Sequence, residues 1–284
     1  MTGSTSSAAR ATASARPIGQ QLAAGLGAQL ALLAALSAGL GLGAWSLAGL
    51  AYAVGLCALL GAAARRAKAR TLGPADLVTL ARAALVAGVT ALVADGFGSG
   101  EPSVVALVVL VVLATVALAL DAVDGRVARR TGTASALGAR FDMEVDSFLV
   151  LVLSVHVASL LGPWVLAIGV MRYVFVAASW SLPWMRASLP PRYTAKLVAA
   201  LQGIILIVAT AEVLPHAVAA TLVGVALGVL ICSFGRDVRW PLRRADRSPA
   251  VDAQQGPRSV PPAPPTTRNR RSVAPVTAGF AMRV

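Results

Sequence analysis

The sequence predicts an all-α protein that crosses a membrane several times. Its 284 residues are 57% hydrophobic and only 13% charged, which is too apolar for an ordinary soluble domain. The apolar residues gather in eight blocks of roughly the length that a membrane-spanning helix requires, about 20 residues. No ten-residue segment alternates between apolar and polar side chains, so a transmembrane β-barrel is not expected. Helices also satisfy their own backbone hydrogen bonds in lipid.

In chain order, the sequence divides into four parts. Residues 1–20 are rich in Ser, Thr and Ala and should form a disordered tail. Two Gly- and Ala-rich blocks, 21–40 and 45–64, predict a transmembrane hairpin, and a basic linker to residue 70 closes it. Residues 71–235 should form a six-helix core, and 236–284, rich in Arg and Pro, a second disordered tail. The six core blocks are 77–94, 103–121, 145–161, 163–182, 196–214 and 216–234.

The distribution of charge predicts which side of the membrane each end of a helix faces. Eight spans leave the tails and alternate loops on one side, and these hold nearly every Lys and Arg. The loops on the other side carry Asp95 and Glu101 and no basic residue. This positive-inside pattern places both termini in the cytoplasm. The net charge of +13 therefore reflects topology and attraction to membrane lipids rather than nucleic-acid binding. We expect a multi-pass protein of a bacterial plasma membrane.

Four aspartates lie where one core block ends and the next begins, at positions 121, 124, 142 and 146. Asp121 and Asp124 share a face if their helix continues beyond the membrane edge, and Asp142 and Asp146 share a face of the next helix. An antiparallel pair of helices would bring the two faces together. Carboxylates at a membrane boundary are costly, so this segment is the expected functional site.

Four carboxylates in one volume require a counter-charge, and all-oxygen ligands favour Mg²⁺, Mn²⁺ or Ca²⁺ over zinc. Two such ions bridged by carboxylates commonly catalyse displacement at phosphorus. A neighbouring carboxylate could take the proton of an attacking hydroxyl group. Gly125 and Gly138 leave space beside the backbone for a phosphorylated ligand, and Arg129 could donate two hydrogen bonds to phosphate.

The spacing of these residues resembles the signature of the CDP-alcohol phosphotransferases, also called CDP-alcohol phosphatidyltransferases. The family pattern is Asp-x2-Asp-Gly-x2-Ala-Arg-x8-Gly-x3-Asp-x3-Asp, and every position is present here. The resemblance covers about residues 71–235. It implies transfer of a substituted phosphoryl group from a CDP-alcohol to an acceptor hydroxyl, with release of CMP and with two Mg²⁺ or Mn²⁺ ions. The eight matching residues are Asp121, Asp124, Gly125, Ala128, Arg129, Gly138, Asp142 and Asp146.

The resemblance also implies a role for each matching residue. The four aspartates would bind the metals, and Asp146 would in addition act as the catalytic base. A shorter similarity, LVTLAR at 77–82, places two more residues beside the nucleotide. The nucleotide-binding set would then be Gly125, Ala128, Arg129, Gly138, Thr79 and Arg82.

Three basic residues are candidates for binding the acceptor. Arg172 lies near mid-membrane and needs a partner, either a carboxylate such as Glu212 or a site aspartate, or a phosphate on the acceptor. Arg192 and Lys196 lie where the chain returns to the membrane, where basic residues also serve as anchors. Some lipid-synthesising relatives carry Lys-Thr where this chain has Val198 and Ala199, which argues against glycerol-3-phosphate as the standard acceptor.

The expected function is therefore transfer of a phosphatidyl group in phospholipid biosynthesis. CDP-diacylglycerol is the expected donor, because an enzyme in a bilayer meets a lipid-anchored donor directly. A polyol or sugar-alcohol phosphate is the first choice of acceptor, followed by glycerol-3-phosphate or an amino alcohol. Two other classes stay open, a divalent-cation transporter and an inactive membrane scaffold. A homodimer is expected from the resemblance alone.

Overall fold

The computed structural model describes residues 17–44, 46–98, 103–131, 135–181 and 193–245. Within these ranges the side chains of 124, 127–131, 179–181, 193–196 and 236–245 are not described. All regular secondary structure in the described ranges is helical, which confirms the predicted class. A 3₁₀ turn, Pro163–Val165, precedes the sixth of the α-helices. These are α1 Ile18–Leu40, α2 Ser46–Arg66, α3 Pro74–Gly98, α4 Val104–Thr131, α5 Ala136–Leu161, α6 Leu166–Ser181, α7 Tyr193–Thr210 and α8 His216–Ala245.

Six of the described helices are long and apolar enough to cross a membrane: α1, α2, α3, α5, the segment Val104–Val123 of α4 and the segment His216–Gly235 of α8. Two shorter apolar helical segments, Pro163–Ala178 and Leu197–Thr210, account for the remaining two predicted blocks. The chain is therefore a multi-pass membrane protein, and the predicted amino-terminal helix pair is present.

Several helices extend beyond the apolar blocks that predicted them. α4 continues from Val123 to Thr131, and α5 begins at Ala136, nine residues before the predicted block. α8 continues to Ala245, past the predicted end of the core at 235, whereas 246–284 lie outside the described residues. Hydropathy marks only the part of a helix that lipid surrounds. Ala, Arg and Leu retain high helix propensity outside lipid, so the helices continue.

Helix α3 is the centre of the fold. It packs against α1, α2, α4 and α5. The buried share of its apolar stretch is 67%, against at most 39% in the other candidate spans. Its small side chains, among them Ala83, Ala87 and Ala91, are almost fully buried. Small residues let helix backbones approach closely, which is how helices associate within lipid.

The amino-terminal hairpin is attached to α3 at several depths. At one end, Gln21 accepts a hydrogen bond from the Leu72 backbone N–H at 2.7 Å. Further along, a Cβ on Gly49 would lie 2.5 Å from the carbonyl oxygen of Ala87, so only glycine fits there. The hairpin also reaches α5, where the ring of Tyr52 stacks on Phe148 with 4.3 Å between centroids.

Specific hydrogen bonds cap the start of α5 and join α7 to α8. Ser135 caps α5 by accepting a hydrogen bond from the Gly138 N–H at 2.9 Å. The buried Gln202 of α7 donates to the Ala226 carbonyl of α8 at 2.7 Å. The chain forms two compact units, and the first of them ends at Leu242 within α8. Only residues 243–245 of the second unit are described.

Replacing Gly49 by leucine should loosen the hairpin from α3. The new side chain would overlap the Ala87 carbonyl and Leu33, and overpacking of this kind costs about 1–3 kcal/mol. We expect a lower Tm in a thermal unfolding scan of the purified protein in detergent. The control is Gly27→Leu in α1, where a Cβ meets nothing within 4 Å. Equal Tm values for the two variants would refute this account of the packing.

Candidate active site

The predicted acidic site lies where α4 leaves its apolar segment and α5 begins. Asp121 lies near the end of the apolar part of α4, and Asp142 and Asp146 lie one turn apart in the early part of α5. Both helices extend beyond the predicted apolar blocks, so these carboxylates are carried on regular helix rather than on loops. The helical setting was predicted from the spacing of the aspartates and from the ends of the apolar blocks.

Arg82 of α3 connects the two acidic helices. Its Nη1 donates to Asp121 Oδ1 at 2.6 Å, and its Nη2 forms an ion pair with Asp142 Oδ1 and a hydrogen bond to the Asp142 carbonyl at 3.2 Å. The arginine side chain is 1% exposed, whereas the two aspartates are about one-third exposed, at 35% and 36%. One guanidinium group therefore fixes three helices relative to one another at the site.

Asp146 completes the described part of the acidic site. It is partly buried and lies close enough to Asp121 and Asp142 to be repelled by both, and close enough to Arg82 and Arg172 to be attracted. Three carboxylates thus interact within one volume. This excess of negative charge is the environment that a bound cation would stabilise.

Gly138 has a packing role that the sequence did not indicate. A Cβ at this position would overlap the carboxylate of Asp76, which lies in the first turn of α3. The other oxygen of that carboxylate accepts a hydrogen bond from the Gly73 N–H at 2.9 Å and so caps α3. The glycine lets α5 approach the start of α3. Contact between Gly138 and a nucleotide stays a prediction.

The other predicted nucleotide residues are only partly described. Thr79 is buried one turn before Arg82, and its hydroxyl donates to the Ala75 carbonyl at 3.2 Å. Gly125 is partly exposed on α4. Ala128 and Arg129 lie in the same helix, but their side chains are outside the described residues, as is that of Asp124.

The partner of Arg172 is Glu144, a residue to which the sequence assigned no role. Arg172 Nη2 lies 2.8 Å from Glu144 Oε1, so its described partner is neither Glu212 nor a site aspartate. Glu144 follows Asp142 by two residues, a rotation of about 200° around the helix, so it points towards α6 instead. Arg192 lies outside the described residues, and Lys196 lies in α7 with its side chain undescribed.

The donor chemistry of the site fits a hard divalent cation, because its described carboxylates repel one another. The described residues contain no group of three His, Cys, Asp or Glu side chains arranged to hold a metal ion. The Oδ1 atoms of Asp121 and Asp142 instead face Arg82. The side chain of Asp124 lies outside the described residues. Metal binding at these residues is therefore a proposal.

Comparison with known families identifies the chain. The family model described as CDP-alcohol phosphatidyltransferase matches residues 72–231, more than half of the sequence. The chain belongs to the CDP-alcohol phosphatidyltransferase family. The match begins just before α3 and ends within α8, so α1 and α2 lie outside it. No curated protein and no solved structure gave a match.

Family membership indicates the general class of reaction. The chain is expected to be a membrane transferase that acts on a CDP-alcohol, and members of this family generally depend on divalent metal ions. The acidic site and Arg82 all lie inside the matched region. The hairpin is an addition to the family domain that is packed against the helix carrying Arg82.

Two contacts in this region were not predicted from the sequence. Arg82 was expected beside a nucleotide, not between Asp121 and Asp142, and Arg172 was not paired with Glu144. A usable signal was present in each case. Arg82 and Arg172 are the basic residues inside apolar blocks, and a buried charge in a membrane requires a partner of opposite sign.

Replacing Arg82 by glutamine should destabilise the protein, because Asp121 and Asp142 would lose their shared counter-charge. The cost should be up to about 3 kcal/mol, the lower end of the range for a broken buried pair, since the aspartates are partly exposed. Thermal unfolding in detergent checks this, with Arg126→Gln on the exposed face of α4 as control. An Arg82 variant as stable as the control would contradict the structural role.

Proposed function

We propose that this protein transfers a phosphatidyl group from CDP-diacylglycerol to a hydroxyl of a small acceptor and releases CMP. The observation that carries the proposal is the complete family motif, whose described aspartates gather at the joined ends of α4 and α5 inside the matched region. A polyol or sugar-alcohol phosphate is the proposed acceptor, with glycerol-3-phosphate or an amino alcohol next. The process served is phospholipid biosynthesis.

The proposed mechanism is a direct displacement at phosphorus. Asp121, Asp124, Asp142 and Asp146 would hold two Mg²⁺ or Mn²⁺ ions, which neutralise the diphosphate and polarise the reacting phosphorus when bound. Asp146 accepts the proton of the acceptor hydroxyl as the new P–O bond forms and the bond to CMP breaks. Arg82 fixes the positions of Asp121 and Asp142, so the acidic ligands are preorganised before substrate binds.

The residues proposed to bind the nucleotide are those of the motif and of α3. Gly125, Ala128 and Gly138 leave room for the cytidine diphosphate, and Arg129 donates to phosphate oxygens. Thr79 and Arg82 border the same space. Their position inside the matched region supports this assignment.

For the acceptor we propose Arg172, Arg192 and Lys196. Arg172 supports the assignment best, because it lies near enough to Asp146 to attract it. Its Nε is buried without a hydrogen-bond partner among the described residues. Arg172 could therefore donate to an acceptor phosphate while Glu144 holds its other end.

The proposed setting is a bacterial plasma membrane, with both termini and the active site in the cytoplasm. The positive-inside distribution of Lys and Arg supports this orientation. A homodimer is also proposed, on family grounds alone.

Two other functions explain fewer observations. A cation transporter needs acidic residues distributed along the membrane depth, but the aspartates of the motif lie together at one end of α4 and α5. An inactive scaffold would have no need to retain the complete motif. Both predict that CMP is not released.

The reaction is tested by CMP release from CDP-diacylglycerol in nanodiscs containing Mg²⁺. Inositol phosphate, glycerol-3-phosphate and serine serve as acceptors, beside a blank. Asp146→Asn should reduce the rate by about 10²–10⁴, the usual contribution of a general base, while donor binding persists. Asp95→Asn, towards the other end of α3, is the matched control and should retain activity. An Asp146 variant of normal rate would disprove the assigned base.

Removal of divalent metal should abolish turnover reversibly. A chelator should stop CMP release, and excess Mg²⁺ or Mn²⁺ should restore it, because the carboxylates alone cannot neutralise a diphosphate. Asp121→Asn should raise the Mg²⁺ concentration needed for half-maximal rate. Full activity in the presence of chelator would exclude the metal-dependent mechanism.

A further inference from the structure

A large groove separates the added hairpin from the family domain. Its volume is about 1050 Å³, at the upper end of the range for ligand sites. One wall is α2, and the other is formed by α5 and α6. Most of its lining is apolar, including Ala51, Gly55 and Leu59 of α2 and Phe148 of α5.

One end of this groove is basic. Arg66, at the end of α2, and Arg140, in the second turn of α5, both line it. Neither has an ion pair or a side-chain hydrogen bond within the described part of the chain. Arg172 and Glu144 also line the groove, but they neutralise each other. The groove thus offers two uncompensated positive charges at one end and an apolar wall beyond them.

The groove has the length of one membrane leaflet. From Ala51 to Arg66 the wall runs fifteen residue steps along α2, about 22 Å at the helical rise of 1.5 Å. Half of a bilayer with its headgroups is about 20–22 Å thick. An acyl chain beside Leu59 and Gly55 would therefore leave its phosphate near Arg66 and Arg140.

The groove meets the acidic site at Arg172, the residue proposed for the acceptor, but its basic end lies on the face of α5 opposite Asp142. Arg140 and Glu144 are each two residues from Asp142, a rotation of about 200° around α5. A ligand held there faces away from Asp142. The occupant is therefore not positioned to react.

We propose that this groove binds one non-reacting anionic phospholipid of the surrounding leaflet, with its phosphate held by Arg66 and Arg140 and an acyl chain packed between α2 and α5. Charge complementarity selects an anionic lipid, and the apolar wall selects a lipid over a soluble phosphate. The bound lipid fills the space between the hairpin and the helix that carries Asp142 and Asp146.

Lipid binding is measured on the full-length protein by native mass spectrometry in detergent, without CDP-diacylglycerol, so the result does not depend on the proposed reaction. Phosphatidylglycerol and phosphatidylcholine are titrated separately, and inorganic phosphate is added as a competitor. We expect one phosphatidylglycerol to bind about ten-fold or more tightly than phosphatidylcholine. Excess phosphate should not displace it, because it lacks the acyl chain.

Two pairs of variants locate the site. Arg66→Ala with Arg140→Ala should lose this preference, whereas Arg65→Ala with Arg126→Ala removes two exposed arginines outside the groove and should keep it. Gly55→Leu should fill the groove and reduce phosphatidylglycerol binding about ten-fold, because no described atom of another helix lies within 4 Å of its Cβ position. Gly27→Leu, equally open but in α1, should have no effect.

Three outcomes would overturn the proposal. Equal binding of both lipids would show that the groove does not select charge. Displacement of phosphatidylglycerol by phosphate would assign the groove to a soluble anion. Unchanged binding in Gly55→Leu would place the lipid elsewhere, and this variant decides the question if the double arginine variant does not fold.

Discussion

The ion pairs of Arg82 hold the candidate active site of this protein together. A guanidinium group that is 1% exposed lies between carboxylates from two other helices. A buried charge is tolerated only when it is well compensated, so the three helices must keep their relative height and rotation. The same compensation lets Asp121 and Asp142 lie close together, which a substrate-binding acidic site requires.

Packing around α3 makes this ion-pair geometry possible. Alanines and glycines at its contacts bring α1, α2, α4 and α5 close, and the Asp76 carboxylate meets α5 at Gly138. Such contacts require small residues on both sides, because lipid supplies no hydrophobic force between helices. The hairpin takes part in this packing through Gly49 and Tyr52, although it lies outside the family domain.

The class of the fold and the position of the acidic site could be predicted from the sequence, for clear reasons. Apolar blocks of membrane length predict helices. The spacing of Asp142 and Asp146 places both on one face of α5, and Asp121 lies at the end of the preceding apolar block. A carboxylate partner for Arg172 could be predicted, but not that the partner is Glu144, because that choice depends on the rotation of α5 against α6. The exact ends of α4, α5 and α8 could not be predicted from the apolar blocks, because a helix can continue past the block that marks it.

Enclosure of α3 also limits how the enzyme can move. A helix packed against four neighbours cannot slide or rotate without disturbing all of them, so Arg82 and Asp76 form a fixed frame. The proposed donor has two acyl chains and would have to enter and leave sideways from the bilayer. We expect the necessary opening to come from α6, α7 and α8, whose described residues make no extensive contact with α3, and these helices should exchange their amide hydrogens faster than α3 does.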